Sequence, residues 1–556
     1  MDVNDQLASA RAAFEAAARL AGAMTGHLAE AVAVGDRVDV DALDARQVDA
    51  YELAVLLSRL QAARAIVGFA VRRPKPLHVA WARAFVAEIV SDLAGMLAFR
   101  GVDWGLDTAT VAGELFGHDT TAFVRESLDP TRWAQMAAWL IANPQLDYGL
   151  DDEHEHIRKE FRRFADSAVA PLAERVHKHD ELIPPEIIAA VSELGCFGLS
   201  IPERFGGLQP DDHPDNLGMA VVTEELSRGS LGVAGSLITR PEILSKALLK
   251  GGTEEQREFW LPRLASGDTL CAVAVTEPDF GSDVAGLKVS ATPRADGWVL
   301  NGQKAWCTFA GYADVLMVLA RSDPDPQQGH RGLSIFLAEK PRFDGHAFEH
   351  TQEGGGKITA RAIDTLGYRG MHSFDVWFDD YFVPDSHVLG GLGGVGKGFY
   401  YQMEGFAGGR LQTAARACGV MQAALDKAIA YSTERKVFGL PVASYQLSAW
   451  KLARMGMLLQ TARQFTYDCC ALLDGHRGQV EASMVKLWAS RVAEWVTREA
   501  MQLHGGMGYA EEYDVSRYFL DARVFSIFEG AEEVLALRVV ARQVLQRWLD
   551  ERKAVP

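Results

Sequence analysis

The stretch Ala274-Val-Thr-Glu-Pro-Asp-Phe-Gly-Ser-Asp283 lies where the periodicity of the chain changes from helical to extended. Pro278 and Gly281 predict a loop, because proline fixes its own φ and glycine tolerates conformations that other residues avoid. In such a loop, the hydroxyls of Thr276 and Ser282 and the backbone amides can face an anion or the edge of a flavin. Considered alone, the stretch is more simply explained as an ordinary surface turn.

A second pattern follows directly and has the alternation of a β domain. Asp296-Gly297 and Asn301-Gly302 are typical of tight turns, so we predict a strand between them and a return strand over residues 303–308. Trp306 and Thr308 are then expected on one face, since strand side chains alternate. An aromatic residue on an inner strand face usually belongs to the core.

The rest of the chain is mainly helical, with apolar residues repeating at three and four. We therefore expect a mainly α protein with a central antiparallel β domain. The predicted parts are an N-terminal helical extension (1–148), a helical domain (149–271), the β domain (272–389) and a C-terminal helical bundle (390–556). Helices are predicted over 50–70, 78–100, 153–170, 410–431, 445–473, 481–503 and 531–549.

Composition excludes several classes of protein. A chain of 556 residues that is 48% hydrophobic is long enough for several cores. The net charge of -18 argues against nucleic acid as a partner. The six cysteines show no C-x-x-C spacing, which indicates buried thiols rather than a zinc or other metal site. No signal peptide or long uninterrupted apolar run is evident, so we expect a cytoplasmic protein without a membrane partner.

In combination, the Thr276-Glu-Pro and Gly281-Ser-Asp elements, the Asn301-Gly-x-Lys-x-Trp-x-Thr pattern and Val383-Pro384 resemble the acyl-CoA dehydrogenase family. The resemblance extends over 149–547. It implies an α domain, a β-barrel domain and a four-helix bundle, here preceded by the extension. It also implies bound FAD, an acyl-CoA substrate and an electron-transfer flavoprotein as electron acceptor.

The resemblance further implies which residues contact FAD: Thr276, Gly281, Ser282, Trp306, Thr308, Arg435, Phe438, Gln446, Gln502, Gly505 and Gly506. In the family, the positions of Arg435, Phe438, Gln502 and Gly505 reach the FAD of a neighbouring subunit, which implies a homodimer or a dimer of dimers. A guanidinium suits a pyrophosphate, and glycines allow close approach of backbone amides. The alternative for Arg435 is an ordinary charge at a helix end.

Glu529 matches the catalytic base of the family, which would remove the α-proton of the substrate. From its local sequence alone, Glu529 is more simply explained as a dipole partner of the next helix. One branch of the family places its base where this chain has Gly409, which cannot act as a base. Glu404 remains a rival. Phe528 replaces a usual tyrosine, and Ala531 replaces a threonine that would touch the cofactor.

Members of the family with such an N-terminal extension include the methylsuccinyl-CoA dehydrogenases, so we expect oxidation of (2S)-methylsuccinyl-CoA to mesaconyl-CoA in the ethylmalonyl-CoA pathway. A substrate carboxylate needs a cation, and Arg240 is the candidate. The full set of predicted substrate contacts is Ser282, Arg240, Arg410, Phe528 and Gly530. The alternatives are another short-chain or dicarboxylic acyl-CoA, a flavin oxidase or monooxygenase on the same fold, and a catalytically silent scaffold.

Overall fold

The computed structural model describes residues 2–554, apart from the side chains of Glu404 and Ala554. The chain forms two compact units. The terminal unit consists of the segments up to Glu155 and from Val420 onward, and the central unit is His156–Gly419. The predicted boundaries at residues 148, 271 and 389 stay predictions.

Helices dominate both units. The α-helices are α1 (Val3–Ala31), α2 (Val40–Asp44), α3 (Gln47–Arg72), α4 (Pro76–Arg100), α5 (Thr108–Leu115), α6 (His118–Ser127), α7 (Pro130–Ala142), α8 (Asp152–Phe164), α9 (Ala170–His179), α10 (Pro185–Glu193), α11 (Asn216–Gly229), α12 (Thr239–Gly251), α13 (Glu254–Ser266), α14 (Gly398–Glu434), α15 (Gln446–Asp474), α16 (Gln479–Leu503), α17 (Asp514–Ala522), α18 (Glu532–Val534) and α19 (Arg542–Ala554). π-Helical turns occupy Ala165–Val169, Leu231–Gly235 and Leu535–Ala541.

The strands are short hairpins in the terminal unit and one large sheet in the central unit. They are β1 (Ala33–Val34), β2 (Arg37–Val38), β3 (Cys271–Ala274), β4 (Ser290–Pro293), β5 (Gly297–Thr308), β6 (Val315–Arg321), β7 (Leu333–Glu339), β8 (Ala347–Thr351), β9 (Lys357–Ala362), β10 (Ser373–Pro384), β11 (Lys436–Val437) and β12 (Leu440–Pro441).

In the terminal unit, the N-terminal helices and the C-terminal helices share one core. The fully buried Trp81 of α4 packs against Gly456 of α15, where an added Cβ would lie 2.9 Å from the indole. The rings of Phe85 and Trp488 lie 5.3 Å apart. Helix α3 is long and apolar enough to cross a membrane by length and composition, but it packs against α1, α4, α15 and α16. The extension and the C-terminal helices therefore fold as one body.

In the central unit, the sheet has the strand order β3-β6-β4-β5-β10-β9-β8, with β7 also paired to β6. Most pairs are antiparallel as predicted, while β3 and β4 each run parallel to β6. Both faces of β6 are buried, because Leu316 and Val318 join the sheet's inner core, whereas Met317 packs with Leu244 and Trp260 of α12 and α13. Buried faces on both sides hold the loops at the strand ends in place.

The predicted turn at Asn301-Gly302 is wrong, because β5 continues through it as a single strand. The register with β10 shifts there, so Asn301 faces the two residues Asp379 and Asp380. The Asn301 side chain accepts a hydrogen bond from the Asp380 backbone N–H at 2.9 Å and donates to its carboxylate at 3.0 Å. The Asn-Gly signal thus marks a β-bulge rather than a hairpin.

The helix predicted to end before Pro171 also continues. It passes through the π-helical turn Ala165–Val169 into α9, and this irregular turn lies directly before Pro171, whose missing N–H interrupts the regular helical hydrogen bonding. Asp180, in the left-handed conformation after α9, accepts a hydrogen bond from His372 at 3.1 Å and lies 3.4 Å from Arg369. These contacts tie the helical part of the central unit to the sheet.

Candidate active site

A buried ion pair in the central unit joins the two sequence motifs. Lys304 Nζ donates to Glu277 Oε1 and to the Val275 carbonyl, both at 2.8 Å. Lys304 is fully buried and Glu277 is 6% exposed. Burial lowers the pKa of Lys304, and the Glu277 carboxylate opposes that effect. The backbone N–H of Ala305 also donates to the Thr276 carbonyl at 2.8 Å, so loop and strand form one rigid element.

Trp306 lies in the second bulge of the β5–β10 pair, where the extra residue belongs to β5. Ala305 and Trp306 together oppose Asp375 of β10, and Trp306 has a φ of 57°. The indole is 55% exposed, whereas Thr308 is buried and shares a 2.8 Å hydrogen bond with Ser373. The bulge lies at Ala305 and Trp306, before the step to Thr308, so the expectation that Trp306 and Thr308 share a face stays a prediction. Trp306 is not a core residue, and its bulged backbone directs a large aromatic surface toward solvent.

The loop before this strand presents polar groups to solvent. Glu277 and Phe280 exchange two backbone hydrogen bonds, at 3.0 and 3.1 Å, which close a tight turn. Gly281 and Ser282 are exposed and Thr276 is half-buried. A Cβ placed on Gly281 would approach only the Thr276 methyl group, at 4.0 Å. The loop therefore leaves room for a ligand beside both hydroxyls.

Arg240, in the first turn of α12, is the unusual charge of the central unit. It is 6% exposed, and its Nη1 atom is buried without a hydrogen-bond partner in the described chain. Its neighbour Glu242 pairs with Lys246 and accepts a hydrogen bond from Gln412. Among the described side chains, which do not include that of Glu404, no ion pair joins a carboxylate to the Arg240 guanidinium. Such a buried cation is costly until an anion meets it.

Arg410 and Gly409 lie on α14, where Arg410 is half-buried and Gly409 is buried. Glu404 lies on the same helix, and its side chain is outside the described residues. Arg410, like Arg240, belongs to the central unit.

Glu529 lies in the terminal unit, on the loop between α17 and α18. Its φ is 55° and that of Gly530 is 100°, so two consecutive residues have left-handed backbone. Lys486 of α16 donates to the Gly530 carbonyl at 2.6 Å, and Ser490, one turn later, donates to the Phe525 carbonyl at 3.0 Å. One face of α16 thus holds the loop. Strained backbone at a non-glycine residue persists only where its surroundings fix it.

The remaining predicted FAD contacts lie on open surface of the terminal unit. Phe438 sits at the tip of the β11–β12 hairpin with a φ of 50° and is 94% exposed. The others are also exposed: Arg435, Gln446, Gln502, Gly505 and Gly506. Gly505 and Gly506 have no atom within 4 Å of an added Cβ among the described residues. These glycines leave the backbone accessible to a ligand.

His504 makes packing and hydrogen-bond contacts inside the terminal unit. It is buried, its Nδ1 bonds to the Ala500 carbonyl at 2.8 Å, and its ring stacks on Tyr431 at 4.2 Å. Burial lowers its pKa.

Family models match three consecutive parts of the chain. The acyl-CoA dehydrogenase N-terminal domain matches residues 151–268, the middle domain 272–381 and the C-terminal domain 396–545. The chain belongs to the acyl-CoA dehydrogenase family. It is therefore an oxidoreductase, and it has the family's fold of helical, curled β and helical domains. The N-terminal extension lies outside all three matches.

Similar proteins support this assignment. The (2S)-methylsuccinyl-CoA dehydrogenase of Cereibacter sphaeroides is 46% identical over 399 residues, which cover 71% of this chain and 70% of that protein. A solved electron transferring flavoprotein structure from Acidaminococcus fermentans matches with 30% identity and a TM-score of 0.64, covering 72% and 99% of the two chains. A glutaryl-CoA dehydrogenase from Mycobacterium smegmatis, in complex with FADH2, matches with 26% identity and a TM-score of 0.61, covering 71% and 95%.

Acyl-CoA dehydrogenases are FAD-dependent, and the residues of this chain fit that cofactor. The exposed indole of Trp306 offers a stacking surface for a planar ring. The hydroxyls of Thr276 and Ser282 stand beside open space at Gly281. Sequence reasoning missed Glu277 and Lys304, although both lie inside the two motifs. Glu277 directly follows Thr276, and Lys304 is two positions before Trp306. These two opposite charges inside the motifs could have indicated the ion pair.

Proposed function

We propose that this acyl-CoA dehydrogenase oxidises (2S)-methylsuccinyl-CoA to mesaconyl-CoA, with FAD as cofactor and an electron-transfer flavoprotein as acceptor. The choice of substrate rests on Arg240, whose guanidinium is buried and has no partner in the described chain. A substrate with a terminal carboxylate supplies the missing anion, whereas a monocarboxylic acyl chain such as butyryl leaves Arg240 unpaired. The 46% identity to the Cereibacter sphaeroides methylsuccinyl-CoA dehydrogenase supports the same choice.

In this proposal, Glu529 removes the proton from the α-carbon of the thioester. The electrons of that C–H bond form the new C=C bond, and a hydride leaves the β-carbon. FAD, when bound, supplies the two-electron acceptor for this hydride. The carbonyl oxygen of the thioester needs a donor as negative charge develops on it. The backbone N–H of Glu529 makes no hydrogen bond in the described chain, so it is available for that oxygen.

The cofactor contacts divide into two sets in this proposal. Trp306, Thr308 and the loop hydroxyls hold the flavin ring, and Arg435 with the open glycine pair holds the diphosphate of a FAD bound by a second copy. The exposed apolar residues around that second set support a homodimer, because isolated chains rarely leave so many large side chains uncovered. These residues are Val437, Phe438, Leu440, Leu447 and Tyr509.

An anaerobic titration tests the proposal. The purified holoprotein is mixed with methylsuccinyl-, glutaryl-, isobutyryl- and butyryl-CoA, and flavin absorbance is followed. We expect methylsuccinyl-CoA to bleach the flavin fastest. Faster bleaching by butyryl-CoA would contradict the proposal that methylsuccinyl-CoA is the substrate. If no thioester bleaches the flavin, the proposed dehydrogenation itself is contradicted. Abundant hydrogen peroxide in aerobic turnover without an acceptor would instead indicate an oxidase.

A further inference from the structure

We propose that the N-terminal extension positions the Glu529 loop through the hydroxyl of Tyr51. Tyr51 lies on α3, within the part of the chain that no family model matches. Its hydroxyl donates to the carboxylate of Glu532, the first residue of α18 and three positions after Glu529. The inference rests on the proposed function, in which Glu529 is the base.

Arg491 contacts both members of this pair. Its Nη1 donates to Glu532 Oε1 at 2.6 Å and also to the Tyr51 hydroxyl. The Glu532 side chain is 13% exposed, so its carboxylate is largely shielded from water, whereas the Arg491 side chain is 41% exposed. Burial and the neighbouring carboxylate raise the pKa of Tyr51 to about 12, which keeps its hydroxyl protonated as a donor at neutral pH.

The position of Glu532 explains why this contact matters for Glu529. Two hydrogen bonds hold the segment that contains the left-handed residues Glu529 and Gly530. Lys486 donates to the Gly530 carbonyl, and Arg491 donates to the Glu532 carboxylate. Both anchors come from α16. Tyr51 adds a third element, which fixes Glu532 from the extension. Loss of its hydroxyl leaves Glu532 with one donor fewer and lets the start of α18 shift.

Such a shift moves the Glu529 carboxylate away from its reacting position, although the carboxylate itself is still present. A misplacement of about 1 Å in a reacting group lowers a rate by up to about 100-fold. Tyr51 is therefore a positioning residue, and its effect should appear in the chemical step rather than in substrate binding.

The test is stopped-flow flavin reduction by methylsuccinyl-CoA in the Tyr51→Phe holoprotein. We expect the limiting rate to fall by about three- to thirtyfold while FAD content and the substrate concentration at half-maximal rate stay unchanged. Glu88→Gln is the matched control, because Glu88 of α4 pairs with Arg454 of α15 at 2.7 Å, again between extension and C-terminal helices. This control should lower the melting temperature without slowing flavin reduction.

A double-mutant cycle identifies the route of the effect. If Tyr51 acts through Glu532, Tyr51→Phe combined with Glu532→Gln is no slower than Glu532→Gln alone. A wild-type rate in Tyr51→Phe, an equal slowing in Glu88→Gln, or additive effects in the cycle would overturn the inference. A wild-type protein whose flavin is not reduced by any acyl-CoA overturns the proposed function, and this inference with it.

Discussion

Lys304 Nζ lies 2.8 Å from Glu277 Oε1 inside the central unit, and this ion pair connects the Thr276 loop to the Trp306 strand. Glu277 also accepts hydrogen bonds from the backbone N–H groups of Lys288 and Val289, at 2.7 and 2.8 Å. One buried carboxylate thus organises the backbone on both sides of the predicted flavin surface.

Breaking this pair should destabilise the protein and weaken cofactor binding together. Lys304→Met leaves the Glu277 carboxylate buried without its cation, which costs about 3–5 kcal/mol. We expect urea unfolding to show that loss and the purified variant to contain less FAD per chain. Lys288→Met removes an exposed ammonium next to the same loop and serves as control. Full FAD content in Lys304→Met would show that the pair does not shape the site.

Replacement of Trp306 should weaken FAD binding without destabilising the fold. Because the indole is 55% exposed, Trp306→Ala removes little core packing and should leave the melting temperature of the apoprotein nearly unchanged. FAD affinity should fall by about tenfold or more, since a stacked aromatic contact contributes about 0.5–1.5 kcal/mol beyond its buried area. Trp377→Ala, at a 39% exposed tryptophan of β10, is the matched control. Equal FAD affinity in both variants would contradict the assignment.

Arg240 should determine the preference for a carboxylate-bearing substrate. In Arg240→Met, kcat/KM for methylsuccinyl-CoA should fall by about 100-fold or more, because loss of one partner of a buried charge pair costs about 2–5 kcal/mol. Activity with butyryl-CoA should change little or improve. The exposed Arg263 of α13 provides the control Arg263→Met. An unchanged kcat/KM for methylsuccinyl-CoA in Arg240→Met would remove Arg240 from the substrate site.

The thiols should be unreactive in the folded protein and should lower its stability in alkali. All six cysteines are buried, and burial raises the pKa of Cys196 and of Cys307 to about 12. Thiols of the unfolded chain have a pKa of about 8.5, so above that pH the unfolded chain binds fewer protons than the folded one. The free energy of unfolding should therefore decrease as pH rises from about 9 to 11. Ellman titration at pH 8 should detect six thiols only after denaturation, and rapid native reaction would contradict this.

The sequence predicted the order of the long helices well, because amphipathic segments such as α16 depend on local periodicity. It failed at Asn301-Gly302, since an Asn-Gly pair fits a hairpin turn and a bulge equally and the partner strand β10 decides between them. Likewise, the exposure of Trp306 follows from the register with Asp375, which no local pattern reveals.

In the candidate site, too, local motifs indicated some residues, whereas contacts between distant segments determined the geometry. The resemblance to the acyl-CoA dehydrogenase family implied roles for Thr276 and Glu529, but the positive φ of Glu529 and the support from Lys486 depend on packing between distant segments. The contact of Tyr51 with Glu532 joins residues 481 positions apart, and no sequence pattern indicated it.

Glu529 is the proposed base, and single-turnover flavin reduction in the Glu529→Gln holoprotein is the decisive experiment. The control is Glu533→Gln, which alters an exposed acid four positions away on the same segment. We expect Glu529→Gln to retain FAD and to bind acyl-CoA, while its rate of flavin reduction falls by about 1,000-fold or more, within the range of a general base and its positioning. Near-normal reduction in Glu529→Gln would contradict it and move the base to Glu404.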